Sequence, residues 1–108
     1  ISSTASHMGQ IATCAYSSSK AAVNGAVRVM AKEFMGRKIR VNAVLPAYVD
    51  TPLIDDLKEK EIIGNSQYLG LGLIEPIHVS YLVEFLLSDK AKYISGSEIP
   101  ITSGLCNL

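Results

Sequence analysis

Ile39-Arg40-Val41-Asn42-Ala43-Val44-Leu45-Pro46 is the stretch from which the architecture can be read. Ile39, Val41, Ala43, Val44 and Leu45 form a short, largely continuous apolar run rich in β-branched residues. Such a run predicts a parallel strand covered on both faces, not a half-exposed antiparallel one. Pro46 ends it, because proline has no N–H for the next ladder bond. The turn at 47–50 then lies beyond the carboxyl end of the strand, where open parallel sheets bind ligands.

Working outward, Thr13 is the expected N-cap of a helix running to about residue 35. Its apolar residues, among them Ala15, Val23, Val27, Met30 and Phe34, cover more than one stripe. That breadth predicts burial on two sides, one against the sheet and one against a neighbouring helix or subunit. Gly36 with Arg37 and Lys38 is expected to end the helix. Residues 1–3 read as the tail of a strand, and 4–12 as a loop of small and polar residues. Downstream, Thr51-Pro52 reads as the N-cap and first position of a helix to about residue 62. A connection at 64–72 follows. Val79, Leu82, Val83 and Leu86, at i, i+3, i+4 and i+7, predict a helix from Pro76 to about residue 88. Gly96 precedes a last strand at 98–102. Right-handed crossovers would make the three strands parallel, giving an α/β fold.

The chemistry-bearing text is Tyr16-Ser17-Ser18-Ser19-Lys20, with Ser3 upstream. Residues four apart on a helix share a face, so Lys20 stands over Tyr16. An ammonium fixed beside a phenol favours the phenolate, which makes Tyr16 a candidate proton donor and acceptor. A serine hydroxyl nearby can hold a carbonyl or alcohol oxygen. The pair alone is weak evidence, since a surface tyrosine over a helical lysine is common. The surrounding text gives it weight.

Ile1-Ser2-Ser3, then Tyr16 to Val23, then Arg40 to Pro52, and finally Tyr93-Ile94-Ser95-Gly96 follow one another at a recognisable spacing. Together they resemble the ordinary, non-extended branch of the short-chain dehydrogenase/reductase family, over essentially the whole chain. The resemblance implies the C-terminal half of a Rossmann-like doubly wound parallel sheet, three strands with flanking helices, over residues 1–108. It implies an NAD(P)-dependent oxidoreductase interconverting a ketone and a secondary alcohol, 3-oxoacyl-carrier reduction being one such activity. Ser3, Tyr16 and Lys20 would be catalytic, and Tyr16, Lys20, Pro46, Ala47, Val49 and Thr51 would meet NAD or NADP. A substrate lid would fall at 64–72, and Leu53, Ile54, Leu57, Tyr68, Leu69, Leu71 and Leu73 are the apolar residues available to line it. A homo-oligomer through the 14–35 helix and the 76–88 helix with the last strand is implied too. Ala47 and Ser6 stand where the family commonly has glycine, and Ile99-Pro100-Ile101-Thr102-Ser103-Gly104 departs from its Val-Asp-Gly-Gly ending. If position 47 needs a positive φ, Ala47 is strained there. Pro100 fits only an edge strand.

No Gly-x-Gly-x-x-Gly or Gly-x-x-x-Gly-x-Gly occurs among the eight glycines. The phosphate-cradling turn and the family's fourth active-site residue are therefore expected outside these residues, and the piece alone is expected to be inactive. Ten basic residues balance ten acidic ones, which gives nucleic acid and acidic membrane surfaces no electrostatic support. Apolar residues make up 48% and charged ones 19%, the composition of a packed domain. Cys14 and Cys106 fit reduced thiols in a cytoplasmic protein. His7 and His78 lack partners at metal-ligand spacing, so no metal is expected. The competing readings are a non-catalytic, folded or oligomerising relative of the same family, and an unrelated α/β interaction module.

Overall fold

The computed structural model describes residues 1–60, 63 and 70–105. Strand β1 (Ala43–Pro46) is buried at every position. It pairs in parallel with β2 (Glu98–Ile101), in register from Ala43 opposite Glu98 to Pro46 opposite Ile101. Residues 1–4 lie along the other side of β1. Ser2 N–H donates to the Val44 carbonyl at 2.8 Å, and Thr4 N–H to the Pro46 carbonyl at 3.1 Å. A parallel ladder would return a bond from residue 46 to the Ser2 carbonyl. Pro46 has no N–H to give, so the bonds run one way and the segment is no strand. The described sheet thus has two strands where three were expected. Its second strand stops at Ile101, and its first begins only at Ala43.

Successive β1 side chains point to opposite faces, and each face is covered. Ala43 and Leu45 pack with Val27 of helix α2 (Cys14–Glu33). Val44 packs with Leu86 and Ala91, joined by Val79, Leu82 and Val83 of helix α4 (Pro76–Leu87). The whole predicted stripe of α4 therefore faces the sheet, and the helix starts at the predicted proline.

Several local expectations change. Thr13 occupies the N-cap of α2 but makes no cap bond. Its hydroxyl donates to the Gln10 carbonyl and pairs with the Ser17 hydroxyl instead. Past α2 a 3₁₀ turn (Met35–Arg37) forms, and Lys38, not Gly36, takes the left-handed conformation, at φ 59°. Burial of α2 is one-sided within the described residues: Asn24, Val27 and Ala31 are buried, while Val23, Val29 and Met30 are exposed. The helix after Thr51 is a 3₁₀ turn (Pro52–Ile54) running into the short α3 (Asp55–Glu59). Residue 62, most of the 64–72 connection with Tyr68 and Leu69, and Cys106 lie outside the described residues.

The Arg40-Val41-Asn42 stretch has a structural task. Asn42 Nδ2 donates to the Ile94 carbonyl at 2.9 Å, and its Oδ1 accepts the Ser97 N–H at 3.1 Å. Gly96 N–H donates to the Val41 carbonyl. These bonds hold the turn that delivers β2. Gly96 itself has φ +75°, and a Cβ there would stand 3.3 Å from Ala31 Cβ. Helix α2 thus packs against a turn that only glycine fits. Ladder bonds from Ala43 to Ser97 and from Ala47 to Ile101 leave the nitrogen of Pro100 facing away from β1. Its place on the outer edge is the one a strand proline tolerates.

Candidate functional site

Three separate segments meet at the carboxyl end of β1. Residues 1–4 bring Ser3, the first turns of α2 bring Tyr16 and Lys20, and the turn after β1 brings Pro46 to Thr51. All seven residues marked in the sequence — Ser3, Tyr16, Lys20, Pro46, Ala47, Val49 and Thr51 — line one cavity of about 500 Å³.

Ser3 is buried. Its Oγ accepts the Ala5 N–H at 3.2 Å, where the short helix α1 (Ala5–Met8) begins. With that lone pair engaged, the serine's own O–H is the group left to donate to an oxygen in the cavity. Lys20 Nζ lies 5.7 Å from the centroid of the Tyr16 ring. It donates to the Ile1 carbonyl at 3.2 Å, which leaves two of its three protons for other acceptors. The Ser2 hydroxyl donates to the Lys20 carbonyl at 3.0 Å. The start of the chain is therefore tied twice to the helix turn that carries the cation. Tyr16 is 45% exposed, which gives its ring access to solvent from within the cleft.

The turn wall is held from outside. Ala47 N–H belongs to the ladder with Ile101. A parallel bridge joins Val49 to Ile74 through Asp50 N–H and the Tyr48 carbonyl. Because neighbouring groups make that bridge, the N–H and C=O of Val49 itself point to the opposite side. Non-glycine residues with positive φ among those described are Ala12, Lys38 and Ser103. Ala47 is not one of them, so the strain anticipated there does not arise. Lys58 bridges Asp50 and Asp55. The Asp50 hydrogen bond, then that of Asp55, holds its ammonium above the usual lysine range.

Leu53, Ile54 and Leu57 line the cavity as expected, whereas Leu71 and Leu73 do not. Gln10, Thr13 and Tyr48 belong to the wall without having been marked as site residues. Gln10 Nε2 donates to the Tyr48 hydroxyl at 2.7 Å, linking the loop after Ser3 to the loop after β1. Nothing in the spacing of these residues signals that contact; a polar side chain in each of two loops is the only trace.

Comparisons with known proteins bear on the family and the fold. A family model described as enoyl-(acyl carrier protein) reductase matches residues 1–106. The chain is 41% identical over 91 residues to 3-oxoacyl-(acyl-carrier-protein) reductase FabG of Thermotoga maritima, covering 83% of this chain and 37% of that protein. It is 33% identical over 106 residues to human (3R)-3-hydroxyacyl-CoA dehydrogenase, covering 97% and 41%. Among solved structures, 4-hydroxyisoleucine dehydrogenase complexed with NADH superposes with a TM-score of 0.88 at 29% identity, over 96% of this chain and 44% of that one. The chain spans about two-fifths of the length of the curated relatives it matches.

Proposed function

The chain belongs to the short-chain dehydrogenase/reductase family, and we propose that it carries the proton-transfer and substrate-binding half of an NAD(P)-dependent oxidoreductase. The observation that carries this reading is the convergence of Ser3, Tyr16, Lys20 and the 46–51 turn on one cavity. The reaction is reduction of a ketone to a secondary alcohol, or its reverse.

The residues present fit a nicotinamide nucleotide. Lys20 keeps two donors for a ribose hydroxyl, and Val49 turns its N–H away from the bridge with Ile74 while its carbonyl accepts the Thr51 hydroxyl at 3.4 Å. Bound NADH or NADPH supplies the hydride. The chain supplies everything that concerns the substrate oxygen. The Ser3 hydroxyl donates a hydrogen bond to it and orients the carbonyl. Tyr16 gives it a proton, with the Lys20 ammonium standing 5.7 Å from the centre of its ring. Solvent reprotonates Tyr16 through its exposed edge. In the oxidative direction the Tyr16 phenolate takes the alcohol proton.

Leu53, Ile54 and Leu57 give the cavity an apolar side suited to an acyl chain. A 3-oxoacyl thioester is accordingly the first substrate to try, in line with the names of the relatives. The nucleotide's phosphates need a glycine-rich turn that these 108 residues do not contain. The isolated chain is therefore proposed to be inactive, the cofactor-binding half lying in further sequence. Val29 and Met30 on α2, with Ile77, Tyr81 and Phe85 on α4, remain exposed; we assign them to contacts between subunits of a cytoplasmic homo-oligomer.

The test is Tyr16→Phe in a protein that also carries a nucleotide-binding half, assayed with NADH and NADPH on a 3-oxoacyl thioester. Turnover should fall by roughly 10²–10⁴-fold with the fold retained. Unchanged turnover would reject the mechanism in favour of a non-catalytic relative.

A further inference from the structure

We infer that Asn24 is a positioning residue that acts on Ser3. Tyr16, Lys20 and Asn24 stand at i, i+4 and i+8 on α2, so one helical stripe carries all three. Asn24 is only 2% exposed. Its Nδ2 donates to Ser6 Oγ at 2.9 Å and to Glu98 Oε2 at 2.9 Å. Ser6 Oγ in turn donates to the Ser3 carbonyl at 2.6 Å. An unbroken chain of hydrogen bonds therefore runs from Glu98 at the start of β2, through Asn24 and Ser6, to the backbone of Ser3.

Among the described residues the Asn24 Oδ1 accepts no hydrogen bond. A buried amide left half-satisfied costs stability that a leucine or alanine would not. Its NH₂ group, by contrast, has both protons placed. The second of them binds Glu98, which His7 Nε2 also contacts at 2.5 Å and Arg28 meets from the rim. The carboxylate is thus an anchored acceptor, and it orients the amide toward Ser6. A glycine at position 6 could neither take the bond from Asn24 nor give one to Ser3. The device ties the turn bearing the substrate-orienting hydroxyl to the same helix that carries the proton donor. The distance between the two groups is then held by a side-chain bridge through Ser6 as well as by the backbone of residues 4–12.

This inference rests on the reading of Ser3 given above, and a double-mutant cycle separates the two. Asn24→Ala, Ser3→Ala and the double variant are compared in a protein with a complete nucleotide-binding half. Asn24→Ala should lower kcat by roughly 10–100-fold while leaving the KM for the cofactor unchanged. In the Ser3→Ala background it should change kcat by less than about two-fold, because its effect passes through Ser3. Amide exchange supplies a readout independent of turnover. The Ser6, His7 and Met8 amides, which bond to the Ser3 and Thr4 carbonyls, should exchange faster in Asn24→Ala, and those of Tyr16 to Lys20 should not. Additive losses in the cycle, or exchange that is unchanged at 6–8, would overturn the inference alone. A Ser3→Ala variant with full activity would overturn the reading of the site as well. Should Asn24→Ala fail to fold, Ser6→Ala, which removes only the last link, replaces it in the same cycle.

Discussion

Lys20 and Ile1 are joined by a hydrogen bond from the lysine ammonium to the isoleucine carbonyl, 3.2 Å long. The cation is thereby fixed at the mouth of the cavity while it lies over the Tyr16 ring. Lys20→Met keeps the aliphatic stem and removes the charge together with this tie. Turnover of the complete enzyme should fall by about 10²-fold or more, and the cofactor KM should rise. Lys20→Arg should not restore it, since a planar fork does not reproduce a compact ammonium with three donors. Steady-state kinetics at several cofactor concentrations separates the two losses, and a Lys20→Met variant with normal kcat would refute the role.

Glu98 makes stability depend on pH in one direction. Burial pushes its carboxyl up, but hydrogen bonds from His7 and Arg28, with the Arg28 charge, outweigh burial and hold it below the usual range. A group whose folded pKa lies below its unfolded one adds stability above the unfolded value. That stability is lost as pH falls through the folded value. The Tm advantage of the native protein over Glu98→Gln should be full at pH 7 and shrink steadily as the pH is taken down toward 3. A constant difference across that range would contradict the assignment.

The stripe of α4, the two-faced burial of β1 and the placing of Lys20 beside Tyr16 were legible in the sequence from residue pattern and spacing, whereas Ser3 was set with them only by the family resemblance. What was not legible depends on partners distant in the chain. Asn24 reads as one more polar residue on a helix until Glu98, 74 positions away, is placed beside it. Pro46 was read as a strand stop; that it also removes the return bond to Ser2 requires knowing which segment lies alongside. The Gln10–Tyr48 link joins two loops whose approach no periodicity encodes. The helix α2 ends just ahead of Gly36, Arg37 and Lys38, the stretch expected to stop it, but glycine is not the residue that takes the left-handed position. Lys38 takes the left-handed conformation there instead.

Asn42 joins β1 to the turn before β2 through one donated and one accepted bond. Asn42→Ala leaves the Ile94 carbonyl and the Ser97 N–H short of a partner each. The cost should be about 2 kcal/mol, from roughly 1 kcal/mol per bond. Asn42→Asp keeps the acceptor for Ser97 but sets a carboxylate oxygen against the Ile94 carbonyl, so it should cost at least as much as Asn42→Ala. Urea titration of the three proteins gives the order directly, and an alanine variant as stable as the native chain would remove the clamp from the account.

Ser103 and Ala47 both replace a glycine of the pattern that the chain's sequence resembles, and the backbone distinguishes them. Ser103 has φ 52°, a conformation in which a Cβ crowds the following carbonyl. Glycine relieves that penalty, of about 1–2 kcal/mol, but adds freedom to the unfolded chain, about 0.4–1 kcal/mol in the other direction. Ser103→Gly should therefore stabilise by about 0.5–1 kcal/mol. At Ala47 there is no left-handed strain to relieve, so only the second effect operates, and Ala47→Gly should destabilise by a similar amount. Thermal unfolding of the two single variants tests the pair through opposite signs. Two shifts of the same sign would mean that the chain's departures from the glycine pattern are not governed by backbone conformation.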